Sequence, residues 1–161
     1  MTEFLFKTDP YQHQLEALQS SHDKEEFALF MEMGCGKSKV VIDNFVHLYR
    51  EQKINGVLML APKGVYDTWY SKEIPNHVPD EINYHSVKWS NANTQKNKKL
   101  LATLSEEPER LNILIMNIEA LSTKKGTQFV TDFLFKRKSM FIVDESTTIK
   151  NHKAKRTINA V

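Results

Sequence analysis

An α/β fold, built on a mainly parallel sheet with helices on both faces, is predicted by three observations. Short apolar runs alternate with amphipathic stretches along the whole chain, and the clearest of these runs, Val57 to Ala61, Leu111 to Met116 and Met140 to Val143, have the length and composition of buried strands. A third feature, Gly34-Cys35-Gly36-Lys37-Ser38, lies between an apolar run and an amphipathic helix, where a phosphate-binding loop belongs in this class.

The elements follow in order. Asp9-Pro10 opens a first helix with Leu15 and Leu18 on its apolar side. A polar stretch from Ser20 to Glu26 leads to Phe27-Ala28-Leu29-Phe30-Met31, which reads as the strand before the loop. Beyond the loop Val40, Val41, Phe45, Val46, Leu48 and Tyr49 recur at helical spacing. Asn55-Gly56 marks a turn, Val57 to Ala61 a buried strand, and Pro62-Lys63-Gly64 its end. A helix carrying Val65, Trp69, Tyr70 and Ile74 is expected to stop before Pro75. The alternation then continues with a strand over Ile82 to Lys88 and a loop over Trp89 to Thr94. A helix over Gln95 to Leu104, a loop at Glu106 to Glu109 and a strand over Leu111 to Met116 come next. The chain closes with a helix over Thr127 to Phe135, a strand over Met140 to Val143 and a helix starting near Ala154.

Composition sets the bounds. The 161 residues suit one domain, and 40% hydrophobic with 26% charged residues is ordinary for a soluble globular chain. A net charge of +2 excludes a wholly basic nucleic-acid coat protein. Clusters such as Lys96, Lys98 and Lys99, or Lys136, Arg137 and Lys138, read as solvated faces, and together they keep a phosphate-backbone partner open. A single cysteine cannot form an intrachain disulfide, and the histidines show no zinc spacing. No apolar stretch reaches membrane-spanning length and the N-terminus lacks signal-peptide features, so a cytoplasmic protein without a membrane partner is expected.

The loop residues are those that phosphate binding asks for. Glycines let backbone N–H groups turn inward around a polyphosphate, Lys37 neutralises its β and γ groups, and the Ser38 hydroxyl can ligate Mg²⁺. The general pattern opens on glycine, and Met31 stands in that place here. Taken alone, the five residues also read as a flexible turn capping a helix. Weighing against this, the run Met140 to Val143 ends in Asp144-Glu145, and the carboxyl ends of parallel strands gather at one edge. An acidic pair there can face the loop across a nucleotide; a helix cap after a strand is its alternative reading.

With these blocks assembled, the chain resembles the first RecA-like domain of a superfamily-two helicase or translocase, and more narrowly the Swi/Snf-related branch with its compact phage-type members. His13-Gln14-Leu15-Glu16-Ala17-Leu18 resembles the Q-motif helix, with Gln14 matching the adenine-reading glutamine and Gln12 the second choice. Glu32 to Ser38 resembles motif I as that branch writes it, without the first glycine. Ala61-Pro62-Lys63-Gly64, followed by Trp69 and Glu73, resembles motif Ia; Asn117-Ile118-Glu119 resembles motif Ib. Asp144-Glu145-Ser146-Thr147 with Ile149-Lys150-Asn151 resembles motif II, with Ser146-Thr147 where many relatives carry Ala-His or Gly-His.

The resemblance spans residues from about 9 to 161 and implies a three-layer RecA-like fold that uses ATP and Mg²⁺. It implies that Met33, Gly34, Cys35, Gly36, Lys37, Ser38 and Lys39 surround the phosphates while Gln14 bonds adenine, an exposed position on an amphipathic helix being the alternative for Gln14. Ser38 and Asp144 would hold Mg²⁺, Asp144 through water, Glu145 would orient and deprotonate the attacking water, and Lys37, Asp144 and Glu145 form the catalytic set. Pro62, Lys63, Gly64 and Asn117 would follow one nucleic-acid strand through its backbone. Trp69 could stack on bases, although its helical spacing with Val65 favours the core.

The implied activity is a DNA-dependent ATPase that translocates on, unwinds or remodels DNA. A second RecA-like domain of the parent chain is expected to supply an arginine finger, worth roughly 10³ to 10⁵ in rate. Residues 1–161 alone are therefore expected to hydrolyse ATP negligibly. The competing readings are an RNA-directed helicase, a small kinase and a nucleotide-dependent interaction module without turnover.

Overall fold

The computed structural model describes residues 3–29, 31 and 35–144. Expectations that fall on Phe30, on Glu32, Met33 and Gly34, or from Glu145 onward, including the Lys150-Asn151 pair and the helix near Ala154, lie outside the described residues.

Four strands, β1 (Gly56–Ala61), β2 (Tyr84–Lys88), β3 (Leu111–Asn117) and β4 (Ser139–Val143), form one parallel sheet in the order β2-β3-β1-β4. The register pairs Ala61 with Asn117 and Leu60 with Val143, so the strands end along one rim. Both central strands are apolar because both faces of the sheet are covered. Val57, Met59 and Ala61 enter one core with Ile42, Phe45 and Val46 of α2 (Lys37–Arg50). Leu58 and Leu60 enter the other, with Leu101 of α5 (Gln95–Ala102) and Val130 and Phe133 of α6 (Lys124–Phe135). The β1–β2 crossover runs over the first face and the β2–β3 and β3–β4 crossovers return over the second. All three therefore share one hand, the consistency that strand twist imposes.

The first helix, α1 (Gln12–Ser21), packs on α2, burying Leu18. Of the expected strand at Phe27 to Met31, the described residues 27–29 and 31 are irregular, and Phe27 is half exposed. The run contains no β-branched residue, and Phe27 and Phe30 alone give it strand propensity. Helical structure also continues through Pro75. A short helix α3 (Tyr66–Thr68) passes into a π turn over Trp69–Glu73 and then α4 (Ile74–His77), with Pro75 in the first turn of α4. A wide turn just upstream relieves the clash that a proline imposes on a regular helix, and Lys7 Nζ donates to the Pro75 carbonyl at 2.9 Å. Smaller differences have local causes. Helix α6 starts at Lys124 rather than Thr127 because Thr123 caps it, accepting from Gly126 N at 3.0 Å.

Candidate nucleotide site

Helix α2 sets the geometry. Its C-terminal end feeds β1 through Asn55, whose N–H donates to Lys138 O at 2.9 Å at the foot of the sheet. Fourteen residues give α2 a length of about 21 Å, which carries its first turn up to the rim where the strands end. That first turn begins at Gly36, held at φ 75° and ψ 40°, and the N-cap glycine has no side chain with which to cap it. The N–H groups of Lys37, Ser38 and Lys39 have no acceptor within the helix, and they stand at the positive end of its dipole.

Two side chains of α1 fasten the loop. His13 Nε2 lies 3.0 Å from the Cys35 carbonyl and Gln14 Nε2 donates to the same oxygen at 3.3 Å. The other end of the Gln14 amide accepts from Tyr11 N at 2.9 Å, completing the start of α1. Gln14 is buried, so the exposed reading of this residue does not hold. Gln12, the second choice, faces solvent and bonds Glu16. Within the loop Lys37 Nζ donates to Met31 O at 2.9 Å, bridging the base of the turn. Lys39 turns inward: it is buried, pairs with Asp43 at 2.9 Å and lies 5.2 Å from the Phe6 ring centre. Burial pushes Asp43 up to about 6, outweighing the pull of the Lys39 ammonium. What Lys39 can offer an anion is therefore its backbone N–H.

Asp144 follows β4 directly. Its N–H donates to Leu60 O at 2.8 Å, and its Oδ2 accepts from the indole N–H of Trp69 at 2.8 Å. Trp69 itself is buried in the α2 core, which fits the packing role its spacing indicated. Beside it, the turn after β1 carries Pro62, Lys63 and Gly64. Pro62 O accepts from Val65 N at 2.9 Å, and Gly64 sits at φ 109° with open space where a Cβ would stand. Because Ala61 and Asn117 are register partners, the segments after β1 and β3 leave the sheet side by side. Asn117 Nδ2 donates to Glu119 at 3.3 Å, while Lys63 and Gly64 are exposed.

The sequence of the SNF2-related domain family matches residues 11–161. The chain belongs to that family. A solved structure, the Sulfolobus solfataricus SWI2/SNF2 ATPase core in complex with dsDNA, superposes with a TM-score of 0.69 at 16% identity. The match covers 99% of this chain and 31% of that one, and it establishes the RecA-like fold. No curated protein sequence matches.

Within this SNF2-related fold the oxygen donors suit magnesium. A carboxylate at Asp144 and a hydroxyl at Ser38 are hard ligands of the kind Mg²⁺ takes together with phosphate and water. Among the described residues no group of three or more His, Cys, Asp or Glu comes together. What motif spacing did not show are the contacts of His13 and of the Trp69 indole. Both act on a partner distant in sequence, Cys35 being 22 residues from His13 and Asp144 75 residues from Trp69.

Proposed function

We propose that the chain is the ATP-binding part of a DNA-dependent ATPase that couples hydrolysis to movement on DNA or its remodelling. One observation carries the reading: Asp144 follows β4 at the rim where β1 ends and is bonded to Trp69 behind the turn after β1, while α2, whose C-terminal end feeds the start of β1, runs back toward that rim. In this reading the N–H groups from Cys35 to Lys39 receive the phosphates, joined by those of Met33 and Gly34. The Lys37 ammonium exchanges Met31 O for the β and γ oxygens. Ser38 and Asp144 would hold Mg²⁺, which supplies charge neutralisation along the phosphates. Glu145, next in the chain, takes the proton of the attacking water. Adenine would meet the N–H and lone pair that Gln14 does not already spend on Cys35 and Tyr11.

Pro62, Lys63, Gly64 and Asn117 would follow one strand of nucleic acid on the neighbouring part of the rim. A dsDNA complex of the structural relative supports DNA as the partner. Since this chain matches 31% of that relative, we assign turnover to the whole parent protein, with a second RecA-like domain completing the site.

The deciding experiment measures ATP turnover of the parent protein with and without single- and double-stranded DNA and RNA, beside Lys37→Ala. Expected are turnover stimulated by DNA above RNA in the natural protein and none in the variant. Binding at a hundred times Kd raises stability by about 2.7 kcal/mol, so ATP should shift melting of the natural protein and leave Lys37→Ala unmoved. An ATP-dependent shift that survives in Lys37→Ala refutes the assignment of the loop.

A further inference from the structure

We infer that Trp69 is a positioning residue for Asp144: its indole N–H fixes one carboxylate oxygen so that the other is presented to magnesium. The inference rests on the nucleotide reading above and adds to it a residue outside the phosphate loop and the acidic pair.

Trp69 is 3% exposed, packed in the core that α2 shares with β1, so the position of its N–H is set by the packing of the whole ring. An indole N–H can only donate, and Oδ2 of Asp144 receives it at 2.8 Å. The backbone of Asp144 is pinned separately, through its own N–H to Leu60 O at 2.8 Å. With backbone and Oδ2 both held, Oδ1 is the oxygen left to face magnesium or its water. Outer partners of this kind orient a ligand and change metal affinity on the order of 10- to 100-fold when removed.

Local geometry shows how the ring reaches the rim. Trp69 begins the π turn Trp69–Glu73, and wide turns of this type shift the direction of side chains relative to a regular helix. Backbone bonds link it back to the turn after β1, from Trp69 N to Val65 O at 3.3 Å and from Val65 N to Pro62 O at 2.9 Å. The magnesium carboxylate is thus mechanically joined to the segment that holds Pro62, Lys63 and Gly64.

The test uses the full-length protein and Trp69→Phe, which keeps an aromatic ring and loses the donor. Binding of a fluorescent ATP analogue is measured across a magnesium titration and again in excess chelator. The expected result is that Trp69→Phe needs about tenfold more Mg²⁺ for half-maximal binding, with chelator-state affinity unchanged. Trp69→His, which retains a ring N–H, is expected to recover part of the requirement, and Trp69→Leu, which also lacks a donor, replaces the Phe variant if that one does not fold. In an Asp144→Asn background, Trp69→Phe should add no further magnesium effect. Equal magnesium requirements in the natural protein and Trp69→Phe, or an equal loss with and without magnesium, overturn the inference. Absence of any magnesium-dependent nucleotide binding in the natural protein instead removes the reading on which it rests.

Discussion

Gly36 answers two demands at once. Its φ of 75° is left-handed, and a Cβ built there would lie 2.2 Å from Gln14 Nε2. The first demand costs an L-residue about 1–2 kcal/mol. The second can be met only if the Gln14 amide swings away and gives up its bond to Cys35 O. Gly36→Ala is therefore expected to lower stability by at least about 1–2 kcal/mol, measured as a denaturant midpoint at constant slope. In a Gln14→Ala background the steric part disappears and the backbone part stays, so the second substitution should cost less there than in the natural protein. Equal costs would show that the amide does not press on the loop. The glycine of the loop is thus a matter of tertiary contact as much as of phosphate access.

Helix α6 shows an element whose start is decided by its neighbours. Thr123 Oγ1 accepts from Gly126 N at 3.0 Å and donates to Ala120 O at 2.7 Å, folding the short turn Ile118–Ser122 back onto the first turn of the helix. Helix propensity alone favours alanine over glycine at position 126 by about 1 kcal/mol. A Cβ there, however, would come within 2.2 Å of the Ala120 carbonyl oxygen, which is backbone and cannot step aside. Gly126→Ala should accordingly destabilise by roughly 1–3 kcal/mol, the usual cost of overpacking. A stabilised variant in thermal or chemical melting would mean that the turn before α6 yields. The same competition between local preference and packing explains the passage of α3 and α4 through Pro75. There a π turn accommodates a residue that would stop an isolated helix.

At the scale of the molecule, buried titratable groups make stability depend on pH. Burial holds His47, His77 and His85 below the ordinary 6.5, so each stays neutral in the folded state where the unfolded chain would protonate. The sign follows directly: their contribution is complete above about pH 6.5 and is lost as the pH falls below it. Asp43 works in the opposite sense. Raised from 3.8 to about 6, it favours the folded state increasingly as the pH drops through that interval. Acid loss is therefore expected to set in as the pH falls through about 6.5, with Asp43 offsetting part of it between about pH 6 and 3.8. His47 offers the cleanest check. It is buried 4.5 Å from the Phe4 ring centre, and its ring nitrogens have no hydrogen-bond partner among the described residues, although Glu51 lies 3.4 Å away. His47→Phe should keep most of the melting temperature at pH 8 and lose less of it at pH 5.5 than the natural protein. An unchanged difference between the two pH values would exclude His47 as a contributor.

Local pattern was enough to reveal the α/β alternation and the bounds of β1 and β3 to within a residue, because period and residue type are properties of short stretches. Tertiary structure alone decided the strand order, the irregular path at Phe27 to Leu29 and the inward turn of Lys39 toward Asp43. It alone also joined Gln14 to Cys35 and Trp69 to Asp144. Each of these depends on which partner lies opposite once two cores have closed on the sheet. That choice is made by burial and hydrogen-bond satisfaction between distant segments, which no window along the chain contains.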